Sequence, residues 1–166
     1  TFKGIPVRLS GGLPAAGQAA PSFLLTAADL SEKGLESFTG KVKVVSIVPS
    51  LDTSVCAASA RKFNESVARL RDVVLINVSA DLPFAQKRFC DADGLTHVVT
   101  LSSFRSPAFG QDYGVRIEEG PLAGLLARAV LVLDRSNQVV YSELVPEIAK
   151  EPDYSSALHA AEKAAG

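Results

Sequence analysis

The feature that most narrows the fold is a change of period between two apolar runs. Val42-Lys43-Val44-Val45-Ser46-Ile47-Val48 and Val73-Val74-Leu75-Ile76-Asn77-Val78-Ser79 are rich in β-branched residues and do not alternate cleanly with polar ones. Runs of this kind suit strands buried on both faces. Between them, from Asp52 to Arg71, Val55, Ser59, Phe63, Val67 and Leu70 recur at helical spacing, while Arg61, Lys62, Glu65 and Arg69 fall mostly on other faces. Pro49 closes the first run, so the chain passes from strand to helix within a few residues.

The same alternation continues downstream. Pro83 suits the first turn of a second helix reaching about Asp91, with Gly94 as its stop. His97 to Leu101 reads as a third strand. Ala127 to Leu133 and Val139 to Val145 read as two more, and their short link, Asp134 to Gln138, predicts an antiparallel hairpin. Asp153 opens an alanine-rich helix running to Ala165. Upstream, Phe2 to Leu9 reads as a small hairpin turning near Gly4, and Gly11 to Pro21 as a loop. The expected architecture is an α/β three-layer sandwich with a mixed central sheet flanked by helices, as one domain over residues 1–166.

Composition removes several function classes. With 47% hydrophobic residues there is material for a sizeable core, and a net charge of -1 offers no basic field for nucleic acid or an anionic membrane. Two cysteines exclude a disulfide-dense scaffold, and His97 and His159 stand at no metal-ligand spacing from them. The uncharged stretch from Leu9 to Ala28 is broken by Gly11, Gly12, Pro14, Gly17 and Pro21. It lacks the continuous apolar core of about 7–15 residues that a signal peptide needs, or the roughly 20 of a spanning helix. The expected address is therefore cytoplasmic. No nucleotide-binding glycine motif or serine-hydrolase elbow occurs.

In α/β sheets, ligands gather where strand carboxyl ends meet helix amino ends. The first strong junction of this type is Pro49-Ser50-Leu51-Asp52-Thr53-Ser54-Val55-Cys56. Asp52, Thr53 and Ser54 are all capping residues, which puts Cys56 in the first helical turn. Free amides and the positive end of the helix dipole there favour an anion, and so a nucleophilic thiolate. Cys56 equally fits a small buried hydrophobe. Arg128 shares a strand face with Val130 and Val132, so it either supplies a cation to an anion inside the fold or pairs at the strand end with a carboxylate such as Glu118. Cys90, in the helix opened by Pro83, has a spacing from Cys56 that points to no specific chemistry. A cysteine-protease arrangement would have to recruit His97.

Taken together, these segments resemble one family. Pro49, Thr53 and Cys56 match the active-site signature of bacterial thiol peroxidases, the Tpx-type branch of the atypical two-cysteine peroxiredoxins. The four-residue step from Pro49 to Thr53 is that branch's variant of the general peroxiredoxin pattern. Asp81-Leu82-Pro83-Phe84-Ala85-Gln86-Lys87-Arg88-Phe89-Cys90 resembles its resolving-cysteine segment, Leu126 to Val130 its arginine strand, and Phe2 to Leu9 its amino-terminal hairpin. The resemblance implies a thioredoxin-like fold, Cys56 as the peroxidatic cysteine and Cys90 as the resolving one. It implies that Thr53 supplies a hydroxyl to thiolate and peroxide, Arg128 the cation and Pro49 a shield over the pocket. It further implies hydrogen peroxide or organic hydroperoxide as substrate, thioredoxin as reductant, a homodimer, and no metal or prosthetic group. The competing expectations are a non-enzymatic redox sensor switching a partner through the same disulfide, and a thiol–disulfide oxidoreductase, against which the missing C-x-x-C pattern counts.

Overall fold

The computed structural model describes all residues, Thr1–Gly166. The two β-branched runs form β3 (Val42–Ile47) and β4 (Val73–Ser79), which pair in parallel, and β5 (Val98–Ser102) continues parallel to β4. The crossovers are α1 (Ser54–Val67) and α2 (Pro83–Asp93). On one flank β6 (Ala129–Leu133) runs antiparallel to β3, and β7 (Val139–Leu144) antiparallel to β6. On the other flank lie β1 (Leu25–Ala27) and β2 (Glu32–Lys33), giving the order β2-β1-β5-β4-β3-β6-β7. The mixed sheet anticipated from the sequence is present, with β3 near its centre.

The pleat sorts the core. Val42 and Val44, with Leu75, Val130 and Val132, face Phe63 and Val67 of α1 and Ala157 and Ala161 of α4 (Tyr154–Ala165). Alternate residues Val45, Ile47, Ile76, Val78 and Leu131 face the opposite side. There Phe109 of α3 (Ala108–Asp112) stacks on Tyr113, ring centroids 4.5 Å apart, and the N-terminal arm completes the layer. Helix α1 is held from both sides. Arg61 meets Asp93 of α2 at 2.6 Å, and the Ser59 hydroxyl lies 2.9 Å from that of Tyr154 on α4.

Several boundaries differ from the sequence reading. Helix α1 stops at Val67 rather than Arg71, because the chain tightens through bonds from Arg69 N–H to Ser66 and from Leu70 N–H to Val67. Asp72 then turns it at φ 56° into β4. The N-terminal hairpin is a single rung, Phe2 with Ile5, around Lys3 and Gly4 at φ 51° and 77°, a turn whose twist suits a two-residue hairpin. Beyond it Leu9 pairs with Ile117 instead of folding back on Phe2. Strands β1 and β2, the 3-10 turn Leu35–Phe38 and α3 are too short to show a period in sequence. At α4 the sequence expectation is met in detail, with the Asp153 carboxylate accepting from the Ser156 amide at 3.0 Å.

Candidate active site

The junction after β3 carries the site. Pro49 is buried, and Leu51 follows it into a small cluster with Val48, Cys56 and Ala60 at the carboxyl end of the sheet. Phe89 of α2 packs against this cluster from the neighbouring helix. Thr53 is the N-cap of α1, but its hydroxyl donates backward to the Ser50 carbonyl at 2.9 Å and makes no capping bond. The first-turn amides near Cys56 therefore donate to no capping side chain, and the Thr53 oxygen keeps its lone pairs available.

Cys56 itself is fully buried. Its sulfur accepts a hydrogen bond from Arg128 Nη2 at 3.1 Å across the sheet–helix interface. Strand parity explains the meeting: Arg128 precedes β6 on the face shared by Val130 and Val132, which is the face α1 covers. Arg128 is 2% exposed, and its Nε donates to the Ile148 carbonyl at 2.9 Å. Its Nη1 has no partner in the protein. A guanidinium buried this deeply with a free donor is costly unless an anion or a polar ligand completes it. The strand-end pairing with Glu118 is not what forms, since Glu118 lies beside Arg116 at 3.9 Å.

The Ile148 carbonyl gives no signal in sequence, because any residue carries one. The loop that presents it is tied to the N-terminal hairpin. Glu147 accepts from the Gly4 and Lys3 amides at 3.0 Å each, and Ile148 N–H donates to the Thr1 carbonyl at 2.9 Å. Backbone bonds from Gly4 and Ala149, with the Thr1 hydroxyl and the Lys3 amide, hold the Glu147 carboxyl down at about 2.

Cys90 sits half-buried on α2, and both cysteines are free thiols. Burial first, then the negative charges of Asp91 and Asp93, push the Cys90 thiol up to about 11. It lines a groove of about 370 Å³ with Lys33, Lys87, Val98 and Thr100, away from the Cys56 cluster. The structure thus gathers Pro49, Thr53, Cys56 and Arg128 at one junction and puts Cys90 on the adjacent helix. His97 and His159 are exposed, and His97 uses its amide to donate to Asn64. The group bonded to the cysteine sulfur is an arginine, which removes the basis for a protease reading.

With a guanidinium hydrogen-bonded to a buried cysteine at a strand-to-helix junction, comparison with known proteins identifies the family. The Redoxin family model matches residues 15–158. The chain belongs to the Redoxin family, in its thiol peroxidase branch. It is 49% identical over 166 residues to the thiol peroxidase of Leptospira interrogans, covering 99% of this chain and 97% of that protein. Among solved structures, the peroxiredoxin-like protein from Aquifex aeolicus superposes with a TM-score of 0.92 at 42% identity, covering 98% of this chain and 95% of that one. The thiol peroxidase from Chromobacterium violaceum gives 0.88 at 26% identity, with 94% and 90% covered. The thioredoxin-like α/β fold is thereby established for this Redoxin chain.

Proposed function

We propose that this chain reduces hydroperoxides with Cys56 as the attacking group. The observation that carries the reading is the 3.1 Å bond from Arg128 to the Cys56 sulfur inside the fold. The thiolate attacks one peroxide oxygen, forming an S–O bond as the O–O bond breaks. The other oxygen leaves with the bonding pair and takes a proton, departing as water or an alcohol, while Cys56 becomes a sulfenic acid. Charge develops on the leaving oxygen, where the free Nη1 of Arg128, the Thr53 hydroxyl and the first-turn amides are available to stabilise it. Buried Pro49 shields the sulfur from bulk water.

Cys90 then resolves the sulfenic acid. Its sulfur displaces the hydroxyl, which leaves as water, and an intramolecular disulfide forms. A thioredoxin-class dithiol restores both thiols in two exchanges and is itself oxidised to a disulfide. Such a cycle suits the cytoplasm, where dithiol reductants are kept reduced. A homodimer belongs to the same proposal. Exposed Leu82 and Phe84, at the start of α2, and Phe104, in the loop after β5, offer apolar surface for it at the carboxyl edge of the sheet.

The test is steady-state peroxide consumption with thioredoxin, its reductase and NADPH. Sustained turnover that vanishes in a folded Cys56→Ser protein is expected. A single stoichiometric oxidation without turnover would instead indicate a redox sensor, and full activity in Cys56→Ser would remove the assignment.

A further inference from the structure

The two cysteine-bearing segments share one polar anchor. Asp81 lies between β4 and α2, half-buried, two residues before Pro83. Its Oδ1 accepts from the Ser50 hydroxyl at 2.7 Å. Its Oδ2 accepts from the Leu51 amide at 2.8 Å and from the Ser79 hydroxyl at 2.7 Å. Ser50 and Leu51 belong to the turn that leads into α1. Through Ser50 the anchor reaches the site, since the Ser50 carbonyl receives the Thr53 hydroxyl at 2.9 Å and its own Oγ receives the Asp52 amide at 3.2 Å.

The other arm reaches α2. The Ser79 oxygen that donates to Asp81 accepts in turn from Gln86 Nε2 at 2.9 Å. Gln86 is fully buried on the first turn of α2 and also donates to the Leu101 carbonyl at 3.1 Å. Ser102 Oγ donates to the Asp81 carbonyl, so the backbone at Asp81 is fixed to β5 as well. One carboxylate thus links the turn before Cys56 to the first turn of the helix bearing Cys90. The competing explanation, a helix cap for α2, does not describe it: Leu82 is the N-cap, and no side chain caps α2.

We propose that Asp81 is a positioning residue that latches the Cys56 turn to the Cys90 helix in the reduced protein. It acts on the reaction through Ser50 and Thr53, and it sets how readily the two segments open together. Three charge-assisted bonds converge on it, and bonds to charged groups are the stronger ones. The role of the opening in catalysis rests on the peroxidase reading above, whereas the latch itself does not.

Hydrogen exchange on the reduced protein tests the latch without any peroxide. Asp81→Ala is expected to speed exchange on the order of tenfold in residues 50–58 and in 81–90 together, with the β3 and β6 amides unchanged. Asp81→Asn, which keeps an acceptor of the same shape, is expected to fall between parent and alanine variant. A Ser50→Ala protein, which removes only one bond, provides a milder form should the alanine variant fold poorly. In peroxide-treated protein the share of Cys56 found as sulfinic acid should fall in the order parent, Asn, Ala, because easier opening brings the sulfenic acid to Cys90 sooner. Faster exchange in one segment only, uniform loosening across the sheet, or an unchanged sulfinic share despite paired loosening would overturn the proposal. If the parent shows no peroxide reaction at Cys56, the functional reading fails while the exchange result still decides the latch.

Discussion

Cys56 and Cys90 have the same side chain in opposite settings. A guanidinium meets the sulfur of Cys56, whereas burial and, after it, the charges of Asp91 and Asp93 raise the pKa of the half-buried Cys90 thiol. Arg128 contributes more than charge, because its planar fork serves the sulfur and the Ile148 carbonyl at once. Arg128→Lys is therefore expected to slow the peroxide step by on the order of 10²-fold, the scale for losing one donor to developing charge. A lysine variant as fast as the parent at all peroxide concentrations would make the guanidinium purely structural. For Cys90, folding raises the thiol from its ordinary 9.0 to about 11, so the fold favours the neutral form. That contribution is complete below pH 9 and is lost as pH rises from 9 to about 11. Urea titrations of the parent and Cys90→Ala across this window should show the stability advantage of the parent shrinking. A constant difference would contradict it.

At the level of elements, α1 and α2 have to satisfy two demands. In the proposed cycle Cys56 has to meet peroxide inside its buried cluster, yet a disulfide needs Cα atoms within about 7 Å and well-aimed sulfurs. Cys90 lines a separate groove where its pKa is raised, so the resolving attack proposed for it requires a change in its surroundings. The uncapped start of α1 and the first turn of α2 are the natural places to yield, since helix ends open most cheaply. Oxidised protein is expected to exchange faster than reduced protein over residues 52–58, over 84–94, or over both. Equal protection in the two redox states would rule this out. Cys90→Ser should react once with peroxide, fail to turn over with thioredoxin, and accumulate Cys56 sulfinic acid on mass spectrometry.

Across the whole molecule, the sheet separates the site from an unexpected burden. Lys43, on the β3 rung opposite Leu133, is fully buried and its Nζ has no hydrogen-bond partner. Burial lowers its pKa, partly offset by the charge of Asp134. An ammonium taken from water without a partner disfavours the folded state. It lies toward the opposite end of β3 from Pro49, so stability and reactivity are separable here. Lys43→Met is expected to raise the urea midpoint while leaving the peroxide rate as it was. A lower midpoint would show that the lysine contributes favourably.

How much of this was legible in advance follows from the range of the interactions. The strand runs, the Pro83 and Gly94 limits of α2 and the Asp153 cap are local, so residue chemistry and spacing were enough to find them. The helical spacing runs four residues beyond the end of α1, because that end is set by the turn at Asp72 where the chain enters the sheet. For the site, sequence placed Cys56 at a helix start and Arg128 on an inward strand face, but left open whether each was structural. Only tertiary structure brought them within 3.1 Å, since residues 56 and 128 meet through the pairing of β3 with β6 and the packing of α1 on that face. The Ile148 carbonyl and the Asp81 anchor were invisible for the same reason: a backbone oxygen has no signature in sequence, and a carboxylate acquires its role from donors that the fold carries to it.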